Sequence, residues 1–333
     1  MLFEEIIGNE PIKAYLKNAL QKKNLPNTLL FSGPEGVGKT LFAKALALHL
    51  LYPETEEKEK IARRIDSLNH PDFTLLEPEG KTSAHSIASI RNLIEMVRLS
   101  PFEAQAKVFV ISHAERMPAV SANALLKTLE EPNLDSYIIL VTSKEEELLA
   151  TILSRSIKLH FKAIGEQELQ ALLKRWGKTD SEAKRLAQLS HGSIARASEI
   201  ASFVDIEEKT RLLLDLLSAK NLSSYPDLVR YLDKINDFFD LTEENALKKH
   251  QEIELFLSHI LLWYRDLSQL KITRKAHLLF FSDHFELLQK EALKPIPPLE
   301  KVHGLLENAK EALERNLKLK TVLENLFLEL ELI

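Results

Sequence analysis

Three spaced glycines lead into a lysine and a threonine in Gly33-Pro34-Glu35-Gly36-Val37-Gly38-Lys39-Thr40. Glycines let successive backbone N–H groups turn inward onto phosphate oxygens. Lys39 at this spacing would reach the β- and γ-phosphates, and Thr40 would hold Mg²⁺ through its hydroxyl. All four fixed positions of a phosphate-binding loop are filled by Gly33, Gly38, Lys39 and Thr40, with Gly36 inside the loop. The ligand such a loop takes is Mg-ATP or a related nucleotide. The pattern establishes capability, not occupancy.

Hydrolysis needs more. A carboxylate at the end of a neighbouring strand normally holds Mg²⁺, and a second one polarises the attacking water. The strand in that place, Val108 to Ile111, runs into Ser112-His113-Ala114-Glu115. Ser112 is a weak metal ligand, His113 is no obvious base for water, and Glu115 falls three residues further on, where it is expected off the strand end. The loop therefore predicts nucleotide binding, while the replaced carboxylates predict weak or absent hydrolysis.

The elements that must position these groups are legible in the apolar pattern. Thr28–Ser32 reads as a strand before the loop, and Leu41–Leu51 as a helix after it, its positive dipole end at Lys39. Pro11 opens an earlier helix with Ile12, Leu16 and Leu20 on one face. Further strands are predicted at Phe73–Leu76, Lys107–Ile111, Ser136–Thr142 and Ile157–Phe161, and helices at Ser86–Leu99 and Ser121–Glu131, the last stopped by Pro132. The charged stretch from Glu54 to Lys60 reads as a solvated helix face. Strands that are apolar throughout and alternate with helices predict an α/β parallel sheet covered on both faces. Beyond residue 162 only helical periodicity remains, as in Ile253, Phe256, Leu257, Ile260 and Tyr264. The expected division is an α/β nucleotide-binding domain over 1–162, a small helical lid over 163–205 and an all-α domain over 206–333.

Composition narrows the class. Of the 333 residues, 45% are apolar and 28% charged, as in a soluble globular protein of roughly two or three domains. No apolar run approaches the roughly 18 residues that span a bilayer. Met1-Leu2-Phe3-Glu4-Glu5 has neither the basic nor the apolar region of a signal peptide, so a cytoplasmic location is expected. The absence of cysteine excludes disulfides and thiolate metal sites. A net charge of −5 argues against tight DNA binding by the chain alone, so any DNA contact is local or shared with partners.

Several segments then carry a resemblance: Phe3 to Asn9, the phosphate loop, His70-Pro71-Asp72, Pro78-Glu79-Gly80-Lys81, the run from Asn123 to Pro132, Thr151 to Ser156, and His191-Gly192-Ser193. In this order they resemble the clamp-loader branch of the AAA+ ATPases, across roughly residues 1–200, with Asn123–Pro132 the most specific. The Ser112-His113 replacement points to the delta-prime-like, stator-type members rather than to the motor subunits.

What the resemblance implies is concrete. The fold is AAA+-like, followed by the lid and an all-α collar for oligomerisation. Arg155, in Ser154-Arg155-Ser156, holds the position of an arginine finger offered in trans to a neighbour's ATP, although Ser156 stands where the family has cysteine. Thr142 and Ser143 lie where a sensor hydroxyl faces the γ-phosphate. Arg196 lies near a lid arginine that reaches the phosphates, with Ala195 as an extra residue in the spacing; a surface role is the alternative. Ile7 and Gly8 match the region lining the adenine pocket, with apolar core packing the alternative for Ile7. Lys127 is either a DNA-backbone contact or a solvated lysine. No zinc is expected, because the four cysteines of the family's zinc module are absent. The implied partners are motor ATPase subunits, a clamp-opening delta subunit, the sliding clamp, and primer–template DNA in the assembled ring, with no membrane. The chain would serve a DNA-directed DNA polymerase holoenzyme without being a competent ATPase alone. An active motor subunit and an unrelated phosphate-loop kinase are the other readings that the loop admits.

Overall fold

The computed structural model describes residues 3, 5–53, 57–78, 84–131, 135–202, 206–218, 225–240, 246–273, 279–315 and 317–330. Glu4, Glu54–Glu56, Glu79–Lys81 and Pro132, named above, lie outside them. The chain divides into two compact units, Met1–Glu199 and Ile200–Ile333.

The first unit is built on a five-stranded sheet. Its strands are β1 (Thr28–Ser32), β2 (Phe73–Leu76), β3 (Lys107–Ile111), β4 (Ser136–Thr142) and β5 (Ile157–His160), in the order β2-β3-β4-β1-β5. Every pairing is parallel. Its helices are α1 (Glu10–Gln21), α2 (Lys39–Leu51), α3 (Lys58–Asp66), α4 (Ile87–Val97), α5 (Ala119–Glu130), α6 (Ala150–Leu153), α7 (Glu166–Arg175) and α8 (Asp180–Ser190), with α9 (Ile194–Ala201) beginning in this unit. Short 3₁₀ turns occupy Ala114–Arg116 and Glu145–Glu147.

The apolar runs of β1, β3 and β4 are continuous because these central strands serve two cores. Leu29, Phe31, Val108, Val110, Ile139 and Val141 pack with α1, α2 and α3. Their alternates Leu30, Phe109, Ile111, Ile138 and Leu140 pack with α4, α5 and α6 on the other face. A strand has a period of two, so a run buried on both faces must be apolar at every position. Each fully buried side chain of this kind contributes about 1.5–3 kcal/mol.

The His70-Pro71-Asp72 motif acquires a structural role. The Asp72 carboxylate accepts the backbone N–H groups of Phe102, Glu103 and Ala104 at 2.7, 2.9 and 2.9 Å. Burial opposes ionisation of Asp72, but these three bonds outweigh it and hold its pKa below the ordinary value. His70 Nδ1 accepts the Asp72 N–H at 3.1 Å, which fixes the carboxylate beneath the turn it pins.

Among its described residues the second unit contains helices joined by turns and loops, such as that over 294–298, and no strand. It contains α10 (Ile206–Leu217), α11 (Tyr225–Asp240), α12 (Ala246–Thr273), α13 (Phe285–Glu291), α14 (Leu299–Glu314) and α15 (Leu319–Glu329). The three- and four-residue spacing read from the sequence in α12 buries Ile253, Phe256, Leu257, Ile260 and Tyr264.

Candidate nucleotide site and interface arginine

The phosphate loop leaves β1 at the carboxyl edge of the sheet. There Ser32 is in register with Thr142 of β4 and His160 of β5. Gly33, Gly36 and Gly38 all have positive φ, at 137°, 73° and 95°. Two of them are also crowded. A Cβ on Gly33 would lie 2.2 Å from the backbone oxygen of Phe161, and one on Gly36 would lie 2.0 Å from Ser193 Oγ. Glycine is therefore required both by conformation and by close approach.

Lys39 opens α2 and folds back over the loop. Its Nζ donates to the carbonyls of Gly33 and Pro34, each at 2.6 Å. The residue is 7% exposed. Burial pushes its pKa below the ordinary lysine value, with the carboxylates of Glu115 and Glu35 acting in the opposite direction. The first-turn amides of a helix have no partner within the helix and suit an anion. A cleft of about 400 Å³ opens beside the loop. It is lined by Gly36, Gly38, Lys39 and Thr40, by Ser112 and His113 after β3, by Thr142 and Ser143 at the end of β4, and by Ile194 and Ala195 of α9.

The start of α9 is bonded to the loop. The N–H groups of Ile194 and Ala195 donate to Gly36 O at 2.9 and 3.3 Å. Arg196 is the next residue, half-buried, and is not among the residues that line the cleft. Its own N–H donates to Ser193 Oγ at 3.2 Å.

The hydroxyl of Ser112 is paired with His113 Nδ1 at 2.9 Å, and the Ser112 carbonyl accepts His85 Nε2 at 2.7 Å. His113 takes a left-handed conformation, φ 49°, and the 3₁₀ turn after it sends Glu115 back toward the strand ends. Glu115 Oε2 accepts Thr142 Oγ1 at 2.6 Å, and its Oε1 accepts Ser143 Oγ at 3.1 Å. Burial opposes ionisation of Glu115. The bonds from Thr142, its own N–H and Ser143, with help from His113, outweigh it and hold its pKa below the ordinary carboxylate value. Glu115 is therefore off the strand end, as expected from the sequence, yet bonded to the two hydroxyls at the end of β4 that line the cleft. The only signal for it was a non-glycine left-handed turn, which histidine adopts more readily than most residues.

Arg155 lies elsewhere. It precedes β5, whose first residue Ile157 is in register with Leu29, near the start of β1. Strands rise about 3.3 Å per residue, so Arg155 sits beyond the amino edge of the sheet while the loop sits at the carboxyl edge. It does not line its own chain's cleft. Instead it pairs with Glu130, the last residue of α5.

Comparison with known proteins is consistent with this arrangement. A family model described as DNA polymerase III, delta subunit, matches residues 8–165. The delta' subunit of DNA polymerase III from Bacillus subtilis (strain 168) is 30% identical over 322 residues, which covers 95% of this chain and 94% of that relative. The chain belongs to the DNA polymerase III delta-prime family. The tau subunit of the same organism is 31% identical over 200 residues, covering 59% of this chain and 35% of that relative. A solved gamma subunit-related protein of DNA polymerase III from Thermotoga maritima aligns with 95% of this chain and 98% of its own, at 18% identity and a TM-score of 0.47. The delta-family match spans all five strands, the phosphate loop, Ser112 to Glu115, Thr142 and Arg155, and ends before Arg196. No described helix is long and apolar enough to cross a membrane.

Proposed function

We propose that this chain is the delta-prime, stator-like subunit of a bacterial DNA polymerase III clamp loader, which helps load the sliding clamp onto primed DNA. The observation that carries this reading is the similarity to a delta' relative over 95% of the chain, whereas the similarity to tau covers 59% of it. In this reading residues 1–162 bind nucleotide, 163–205 form the lid, and 206–333 form the collar that joins motor ATPase subunits and a clamp-opening delta subunit in a cytoplasmic ring. Primer–template DNA and the clamp are partners of that ring.

The site chemistry supports the same reading. The three glycines and Lys39 fit a nucleotide's phosphates, Thr40 would hold its Mg²⁺, and Thr142 faces the cleft where a γ-phosphate would lie. In this reading Arg196 is the lid arginine, although it does not itself line the cleft. A bound nucleotide would supply the charge that these groups recognise. The strand end that should hold two acids carries Ser112, already bonded to His113, and His113 itself. In this reading Arg155, remote from its own cleft, meets an ATP held by another subunit, where a guanidinium stabilises transition-state charge.

One observation favours the second reading, an active motor subunit. Glu115 is ionised and bonded to Thr142, so a carboxylate does stand beside the cleft. Steady-state hydrolysis of Mg-ATP by the purified chain alone separates the two. The stator reading expects no turnover above background, and sustained turnover lost in Glu115→Gln would establish the motor reading.

A further inference from the structure

Arg155 is held by its own chain in an unusually complete way. Its Nε donates to Glu130 Oε1 at 2.6 Å, and its Nη2 bonds the same oxygen. Its Nη1 donates to Thr151 O at 2.9 Å and to Ser154 Oγ at 3.3 Å. A guanidinium carries five N–H donors in a rigid plane. One hydrogen per bond engages four of them and leaves one N–H, on Nη2. The plane is thus fixed from α5 through Glu130 and from α6 and its exit through Thr151 and Ser154.

The pair is accessible to another molecule. The Arg155 side chain is 31% exposed and that of Glu130 47% exposed. Exposed ion pairs contribute little to folding stability, so the fold gains little from this one. Glu130 also belongs to the Asn123–Pro132 run, the most specific stretch of the sequence. The fold accounts for Leu125, Thr128 and Leu129 of that run by their burial in α5, and leaves the exposed carboxylate unexplained.

We infer that Glu130 is a positioning residue for Arg155, setting the guanidinium plane so that its remaining N–H meets a phosphoryl oxygen of a nucleotide held by an adjoining subunit. The inference rests on the reading that Arg155 acts in trans. A long side chain that must order itself on docking loses rotamer freedom at that moment. Glu130 imposes the order beforehand, inside the folded subunit.

The test uses the loader reconstituted from wild-type sister subunits with this chain as wild type, Glu130→Ala, Glu130→Gln, Arg155→Ala or Glu130→Ala/Arg155→Ala. The readout is DNA-stimulated steady-state ATP turnover, with the melting temperature of each isolated variant measured alongside. Contacting residues are expected to couple, so Glu130→Ala should lower turnover about fivefold with its melting temperature unchanged. Glu130→Gln, whose amide oxygen still accepts both N–H groups, should retain most of the rate. The double variant should match Arg155→Ala alone, because Glu130 has nothing left to position. Wild-type turnover in Glu130→Ala overturns the inference, as does a double variant slower than Arg155→Ala by the full Glu130→Ala factor. Both results leave the trans role of Arg155 standing, provided Arg155→Ala itself slows the loader. An Arg155→Ala loader at full rate removes that role and this inference with it.

Discussion

Thr142 Oγ1 donates to Glu115 Oε2 at 2.6 Å, which joins the end of β4 to the turn after β3 beside the cleft at the phosphate loop. The same hydroxyl accepts the Lys144 N–H at 3.1 Å. A strand-end threonine is thus fixed as a donor toward a carboxylate.

Thr142→Val keeps the shape and removes the donor. A charge-assisted bond in this partly exposed setting contributes about 1 kcal/mol, so urea unfolding at pH 7 should show a loss of that size. The sign with pH follows from the lowered pKa of Glu115. A depressed carboxylate contributes stability above its unfolded pKa and loses it as pH falls through the folded value. The difference between wild type and Thr142→Val should therefore shrink in acid. A constant difference from pH 7 down to about pH 3 would separate the two residues energetically.

The buried histidines give a second pH window. His85 is 1% exposed, with Nε2 on Ser112 O and Nδ1 without a partner. Burial lowers its pKa, with bonds to the backbone at Ser112 and His113 opposing. Burial likewise lowers that of His70, helped by Arg64 and opposed by Glu103 and Asp72. The unfolded chain then binds more protons than the native one, so stability is complete above a pH of about 6.5 and falls below it. His85→Gln, which can still donate to Ser112 O, should flatten the slope between about pH 6.5 and 5. An unchanged slope would assign the acid sensitivity elsewhere.

Asp72 predicts a larger effect. Asparagine offers one acceptor oxygen and places an amide against an N–H donor. Asp72→Asn should cost about 2–3 kcal/mol in urea unfolding, because three backbone donors of the 102–104 turn share that carboxylate. A loss below about 0.5 kcal/mol would show that the turn is held by other contacts.

The phosphate-loop glycines differ in a measurable way. A Cβ on Gly38 meets nothing nearer than 3.9 Å, whereas one on Gly33 meets Phe161 O at 2.2 Å. Gly38→Ala should cost about 1–2 kcal/mol for its positive φ alone. Gly33→Ala must also displace backbone and should cost more than about 3 kcal/mol. Equal melting temperatures for the two variants would contradict the packing of Phe161, just after β5, against the loop.

The central strands β1, β3 and β4 were legible because they are buried on two faces and so carry continuous apolar runs, as in Val108 to Ile111 and Ile138 to Val141. The loop was legible because its glycines, lysine and threonine are adjacent in sequence. Glu115 lies off the strand end as expected, but its return to Thr142 and Ser143 escaped notice because it depends on one left-handed residue, His113, and no pattern of residue types encodes that turn. The Arg155–Glu130 pair escaped notice because it joins residues 25 apart through two helices. The Asp72 motif was recognisable as a signature, but its reason lay in three amides some thirty residues away.

The central claim is that the chemistry served by this chain occurs on a neighbour. The most direct measurement is DNA-stimulated ATP turnover of the reconstituted loader carrying either Arg155→Ala or Lys39→Ala in this subunit. The account predicts that Arg155→Ala slows the ATP site it faces by about tenfold or more, while Lys39→Ala changes turnover much less. Unchanged turnover in Arg155→Ala, or equal or greater damage from Lys39→Ala, would contradict it.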